Sequence, residues 1–230
     1  TAAITTEKAP MAEQNPLSRR SLLLQGGAAG AALGAMSLPA GATTTRKASR
    51  TCVLNGLQPA VLTISGPGVQ ANRGKPQAVA DRMLIIHGYL FDAAWSCGMD
   101  ALNSLEQQTF RTTLEYDEAE HSLQGPLLEQ VLQAAGVDVG QAMARGLQLT
   151  LQGIDGYRSQ IPLAQAVRWR MLLATQMDGQ ALAMGGVGPL WASFAPQHIE
   201  ELSHQPLNQR FTAAVWGLYY LRISTQQPQA

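Results

Sequence analysis

The chain has 230 residues, 16 basic and 16 acidic, with 46% of its residues apolar and 14% charged. That composition suits one ordinary globular domain with a sizeable core and excludes a fibre or a disordered polyelectrolyte. Zero formal net charge and a pI near 6.8 remove any general electrostatic reason to bind nucleic acid or acidic lipid, so the expected partner is a small molecule or a protein.

The first element is "SRRSLLLQGGAAGAALGAMSLPAGA", residues 18–42, which joins the pair Arg19-Arg20 to a mildly apolar, Gly/Ala-rich stretch ending in Ala-Gly-Ala. It predicts a twin-arginine export signal cleaved after Ala42, with the export machinery as a partner and a periplasmic mature protein. An uncleaved membrane anchor is the alternative. The glycines inside the apolar stretch argue against it, so no membrane is expected for the mature form. Met11 could be the translation start, with the preceding residues an upstream extension. Removal of residues 1–42 leaves 13 basic and 14 acidic residues, still near neutrality. Twin-arginine export carries proteins already folded, which raises the expectation of a cofactor.

Residues 43–81, rich in Thr, Gly, Pro and Gln, read as a flexible lead-in, with "AVLTISGPG" (60–68) as a short edge strand. A single domain over 82–225 and a tail at 226–230 complete the expected organisation. "RMLIIHGYL", a continuous apolar run, predicts a buried strand, and "GMDALNSLEQ" a short helix with Asp100 near its start. "TFRTTLEYDEAEHSL" alternates as a hairpin whose charged tip is Asp117 to Glu120. In "GPLLEQVLQAAGV" (125–137), Leu127, Leu128, Val131, Leu132 and Ala135 recur at helical spacing, with Gly136 as the stop. "LQLTLQGI" (147–154) predicts a strand, "DGYRSQIPL" a turn into another short segment, and "MLLATQMDGQAL" two strands around an Asp-Gly turn. "PLWASFAP" and "AAVWGLYYLRI" are β-like and aromatic. Strands outnumber short helices and no long βαβ alternation occurs, so the fold class is α+β with a mixed sheet or barrel.

His87, His121, His198 and His204 are scattered, and neither cysteine sits in a CxxC, which argues against a zinc site. The cluster Glu115, Asp117, Glu118, Glu120 and His121 reads as a solvated hairpin tip. No G-x-S-x-G or S-x-x-K set supports a hydrolase. Neither "GPGVQANRG" (66–74) nor "GGVGPLW" (185–191) has the spacing of a nucleotide loop. In an oxidising compartment Cys52 and Cys97 could pair as a disulfide or stand as separate thiols.

In order and spacing, "FRTTLEYDEAEHSLQGPLLEQVLQAAGVD", "GIDGYRSQIPLAQAV", "LLATQMDGQAL", "GPLW" and "VWGLYYLRI" resemble the molybdopterin-binding domain of the sulfite oxidase superfamily. The likeness is to its short, stand-alone periplasmic members and covers roughly residues 83–223. It implies a mixed-sheet, barrel-like α+β fold, a pocket for the molybdenum cofactor (molybdopterin) and oxidoreductase chemistry. In the family a cysteine thiolate completes the metal's coordination. The corresponding stretch here is "FRTTLEYDE", where Thr112 and Thr113 are nearest, and a neutral hydroxyl is a harder and weaker ligand. Cys97 lies about 15 positions earlier, by the spacing the resemblance sets. A His-Gly-x-Pro-Leu-Arg segment of the family is replaced by Gly186 to Trp191, so a single indole N–H stands where a guanidinium would grip phosphate.

The resemblance places Thr112, Thr113, Tyr157, Arg158, Gly188 and Trp191 around the cofactor or ligand pocket. Arg158 is equally a surface arginine on a turn, Tyr157 a packing residue, and Trp191, Trp216, Tyr219 and Tyr220 core aromatics. No catalytic residue and no metal ligand is assigned. Two functions follow. One is a non-catalytic periplasmic protein that binds a small ligand or a redox or signalling partner. The other is a molybdopterin-dependent oxidoreductase with a divergent metal-ligand set.

Overall fold

The computed structural model describes residues 58–225. The chain divides into two units, Thr1–Lys47 and Ala48–Ala230, and all described residues belong to the second. The export signal, its cleavage site, Cys52 and the tail lie outside the described residues.

In chain order the elements are β1 (Leu62–Ser65), β2 (Arg73–Gly74), α1 (Arg82–Ile86), β3 (Ala93–Cys97), α2 (Met99–Asn103), β4 (Gln107–Thr113) and β5 (Glu120–Pro126). There follow α3 (Leu128–Ala134), α4 (Val139–Ala144), β6 (Gln148–Gly153), β7 (Arg158–Pro162), α5 (Leu163–Arg168) and β8 (Leu172–Ala174). The last part holds β9 (Gln176–Met177), β10 (Gln180–Ala181), β11 (Trp191–Ser193), α6 (Glu200–Ser203), β12 (Val215–Trp216) and β13 (Leu218–Ser224), with 3-10 turns at Pro196–His198 and Leu207–Gln209. The class is α+β.

The largest sheet has six strands in the order β2-β3-β1-β13-β6-β7. It is mixed: β1 runs parallel to β13, while β3, β6 and β7 pair antiparallel to their neighbours. Central β13 buries Leu218, Tyr220, Leu221 and Ile223. β1 and β6 are buried along nearly their whole length, even at the polar positions of LTIS and QLTLQG. Edge strand β7 alternates instead, with Ser159 and Ile161 buried and Arg158, Gln160 and Pro162 exposed. A four-stranded sheet, β10-β9-β5-β4, and a three-stranded one, β12-β11-β8, complete the β-structure.

Helix α3 follows its sequence pattern. Leu128, Val131 and Leu132 are buried at helical spacing, and the Gln130 side chain accepts from the Leu127 N–H at 3.2 Å. Gly136, at φ +86°, ends the helix. The hairpin β4/β5, the Asp178-Gly179 turn and strands β6, β8, β11 and β13 lie where their patterns predict, and the short segment after the Asp155-Gly156 turn is strand β7. Helices α4 and α5, each six residues, were too short to stand out by periodicity.

Two expectations are corrected. "RMLIIHGYL" is not a buried strand: it forms α1, with Met83 44% and Ile86 63% exposed and only Leu84 and Tyr89 buried. A short apolar run has no period of its own, and here the strand is the following "AAWSC". "AVLTISGPG" does supply a strand, but β1 lies inside the sheet between β3 and β13 rather than at an edge. Residues 62–65 therefore belong to the sheet and not to a flexible lead-in.

At the hairpin tip Asp117, Glu118 and Glu120 are exposed, but His121 is organised. Its Nδ1 lies 2.6 Å from Asp178 Oδ2 and its Nε2 2.9 Å from Asp117 Oδ2, tying the β4/β5 tip to the β9/β10 turn. The hydrogen bonds to Asp178 and then Asp117 hold the imidazole above its ordinary 6.5, and the same bonds lower both carboxyls. The imidazolium's contribution to stability is thus complete below about pH 6.5 and is lost as pH rises through the raised folded value. That of the carboxylates is present above about pH 3.8 and is lost as pH falls through their lowered values. Asp178→Asn, which tolerates the same positive φ, is expected to lower the His121 NMR titration midpoint and flatten the loss of thermal stability above about pH 6.5. An unchanged midpoint would refute the bracket.

Candidate functional site

A cavity of about 300 Å³ opens where four segments meet: the β4/β5 tip, the β6/β7 turn, the stretch around the second 3-10 turn, and the paired strands β11 and β12. Glu115, Tyr116, Asp155, Tyr157, Trp191, Phe211 and Trp216 supply its chemistry, and Asn208, Thr212 and Ala214 complete the lining. This volume is at the lower end of small-molecule sites, ~300–1,000 Å³.

Local structure sets each wall. At the tip, Leu114 N–H donates to Ala119 O, Glu118 N–H donates to Leu114 O, and Asp117 Oδ1 accepts from Ala119 N–H, a compact turn that presents Glu115 and Tyr116. Across the mouth, Asp155 Oδ1 accepts from Tyr157 N–H at 3.0 Å, and Gly153 N–H donates back to Tyr157 O at 2.9 Å. The Tyr157 hydroxyl donates to Thr212 O at 2.6 Å, fastening the segment that carries Phe211. Trp191 on β11 is the direct cross-strand partner of Trp216 on β12, so the two indoles are neighbours by register.

The electrostatics are negative. Burial raises the Tyr116 hydroxyl, and the charges of Glu115 and Asp155 raise it further against the opposing effect of Trp216. Among the residues lining this cavity there is no Lys, Arg, His or Cys. Trp191 is 2% exposed and its Nε1 has no hydrogen-bond partner in the protein.

Of the six residues predicted for the site, Tyr157 and Trp191 meet in this cavity. Thr112 and Thr113 line a separate cavity of about 110 Å³ with Glu120, Pro196, Gln197 and Arg210. There Thr112 Oγ1 donates to Gln197 Oε1 at 3.0 Å, and Gln197 Nε2 donates to Arg111 O. Arg158 does not line either cavity: its Nε donates to Gln152 Oε1 at 3.2 Å and its guanidinium carbon stands 5.3 Å from the Tyr89 ring centroid. Gly188 also lies off the cavity wall. A Cβ there would come within 2.6 Å of the Leu182 carbonyl, so this glycine serves a close backbone approach.

Sequence reasoning missed Glu115 and Asp155 as a pair, because a hairpin tip and an Asp-Gly turn each look solvated when read alone. It favoured the core for Trp216, which is a cavity wall, and for Tyr220, which is 1% exposed and bonded to Ser65. Cys97 is buried in β3 and lines neither cavity. Among the described residues no group of three or more His, Cys, Asp or Glu side chains is placed to hold a metal ion. No helix among them is long and apolar enough to cross a membrane.

The family model of the oxidoreductase molybdopterin binding domain matches residues 74–191, just over half of the chain. The chain belongs to this family. The matched span runs from β2 to the first residue of β11 and so contains the hairpin, Asp155, Tyr157 and Trp191. No curated protein matches the chain.

Molybdopterin-binding domains hold an anionic cofactor, and an anion needs positive charge or converging donors. The cavity instead presents two carboxylates and five aromatic side chains, with one unpartnered indole N–H on a lining residue. These residues do not fit an anionic, thiolate-ligated molybdopterin.

Proposed function

We propose that this member of the molybdopterin-binding domain family is an exported, periplasmic, non-catalytic protein that uses the cavity to bind a small ligand, or to dock a periplasmic redox or signalling partner. The observation that carries the reading is the cavity lining: Glu115 and Asp155 beside five aromatic side chains, with no lining cation, suit a ligand other than an anionic cofactor. The segment "SRRSLLLQGGAAGAALGAMSLPAGA" supports export by the twin-arginine machinery.

The test is direct. The protein is purified from the periplasm of a host that makes the cofactor, molybdenum is measured by mass spectrometry, and pterin by fluorescence after oxidation. Neither is expected above background. Stoichiometric molybdenum and pterin would overturn the reading in favour of an oxidoreductase with a divergent ligand set, which the family membership otherwise supports.

A further inference from the structure

The geometry points to a specific ligand class for this cavity: a compact organic ammonium ion. The inference rests on the binding-protein reading above and names what that site would take. Tyr116, Tyr157, Trp191, Phe211 and Trp216 border one space of about 300 Å³, together with the carboxylates Glu115 and Asp155.

Aromatic rings attract cations through the negative potential of their faces, and Trp and Tyr do so most strongly. Carboxylates beside such rings add direct Coulomb attraction, strengthened where apolar walls exclude water. No Lys, Arg or His among the lining residues competes for that field. Asp155 uses Oδ1 on the Tyr157 N–H, and the lining carries no positive partner for either carboxylate. Trp191 is 2% exposed and its Nε1 is itself buried, so this residue belongs to the apolar part of the wall. An anion would meet two like charges, and a neutral ligand would leave both carboxylates without a cationic partner.

The decisive measurement is calorimetric titration of the purified protein with choline, with ethanolamine, and with 3,3-dimethylbutan-1-ol, the uncharged isostere of choline. Inorganic phosphate is the anionic control. Binding of choline or ethanolamine at least about tenfold tighter than the isostere is expected, weakening with salt. The double variant Glu115→Gln/Asp155→Asn keeps an oxygen acceptor at each position and should weaken that binding by about tenfold or more. Tyr116→Leu, at a 61% exposed tip position, should weaken it about two- to fivefold. Asp92→Asn, paired with Lys75 elsewhere on the surface, should change nothing.

Equal binding of choline and its isostere, tighter binding of phosphate, or no binding of either ammonium ion overturns the inference. If the same preparation lacks molybdenum, the binding-protein reading survives that failure. Stoichiometric molybdenum in the preparation overturns both.

Discussion

Trp191→Ala is expected to destabilise the protein by about 3–5 kcal/mol, the range for removing a large buried aromatic side chain. Trp191 is 2% exposed and occupies the middle strand of β12-β11-β8, opposite Trp216 on one side and Ala174 on the other. Removing the indole loses its contacts with the core and joins the vacated space to the adjoining cavity. Domains of this kind are stable by only about 5–15 kcal/mol, so the variant should unfold at a much lower urea concentration. Trp191→Phe, which keeps a ring, should lose clearly less, which separates packing from general sensitivity of the strand. A loss under about 1 kcal/mol for the alanine variant would contradict the packing assigned to this residue.

Gly125→Val is expected to be at least as damaging, for a different reason. A Cβ on Gly125 would lie 2.1 Å from the Leu173 carbonyl oxygen and 2.9 Å from Ala174 Cα, both backbone atoms. The neighbourhood cannot give way. Thr175 N–H donates to Gln124 O at 2.9 Å and Leu128 N–H to Met171 O at 2.8 Å, clamping the junction of β5 and α3 onto β8 from both sides. A branched side chain must push the two strands apart and break those bonds, an expected loss above about 3 kcal/mol that leaves little soluble folded protein. Gly74→Ala is the matched control. Nothing lies within 4 Å of a Cβ at Gly74, and a shift within about 0.5 kcal/mol is expected. Circular dichroism and urea titration of both variants decide the matter. A Gly125→Val protein with native stability would mean that β5 and β8 are not in backbone contact.

Gly125 also shows why a glycine is hard to interpret from sequence. "QGPLLEQ" reads as a helix start, and it is one, but the demand for a missing side chain comes from a strand some 50 residues later in the chain. The GGVGPLW loop is similar. Its composition implied a backbone-driven turn, and Gly188 does abut Leu182, yet only Trp191 of the seven residues reaches the cavity.

What local pattern determined is substantial: the β4/β5 hairpin, helix α3 with Gly136 as its stop, the Asp178-Gly179 turn, strands β6 and β13, and the α+β class. The order of those segments also carried the family resemblance. These features follow from side-chain alternation, helical spacing and turn chemistry, which act over a few residues. Tertiary structure alone decided that β1 lies inside a mixed sheet beside β13, that "RMLIIHGYL" is a half-exposed helix, and that Arg158 turns to Tyr89 and Gln152. It alone joined Glu115, Asp155, Phe211 and Trp216 to Tyr157 and Trp191 in one cavity. Those groups come from four separate segments, and neither carboxylate can be read as part of a cavity wall until the chain folds them around a shared space.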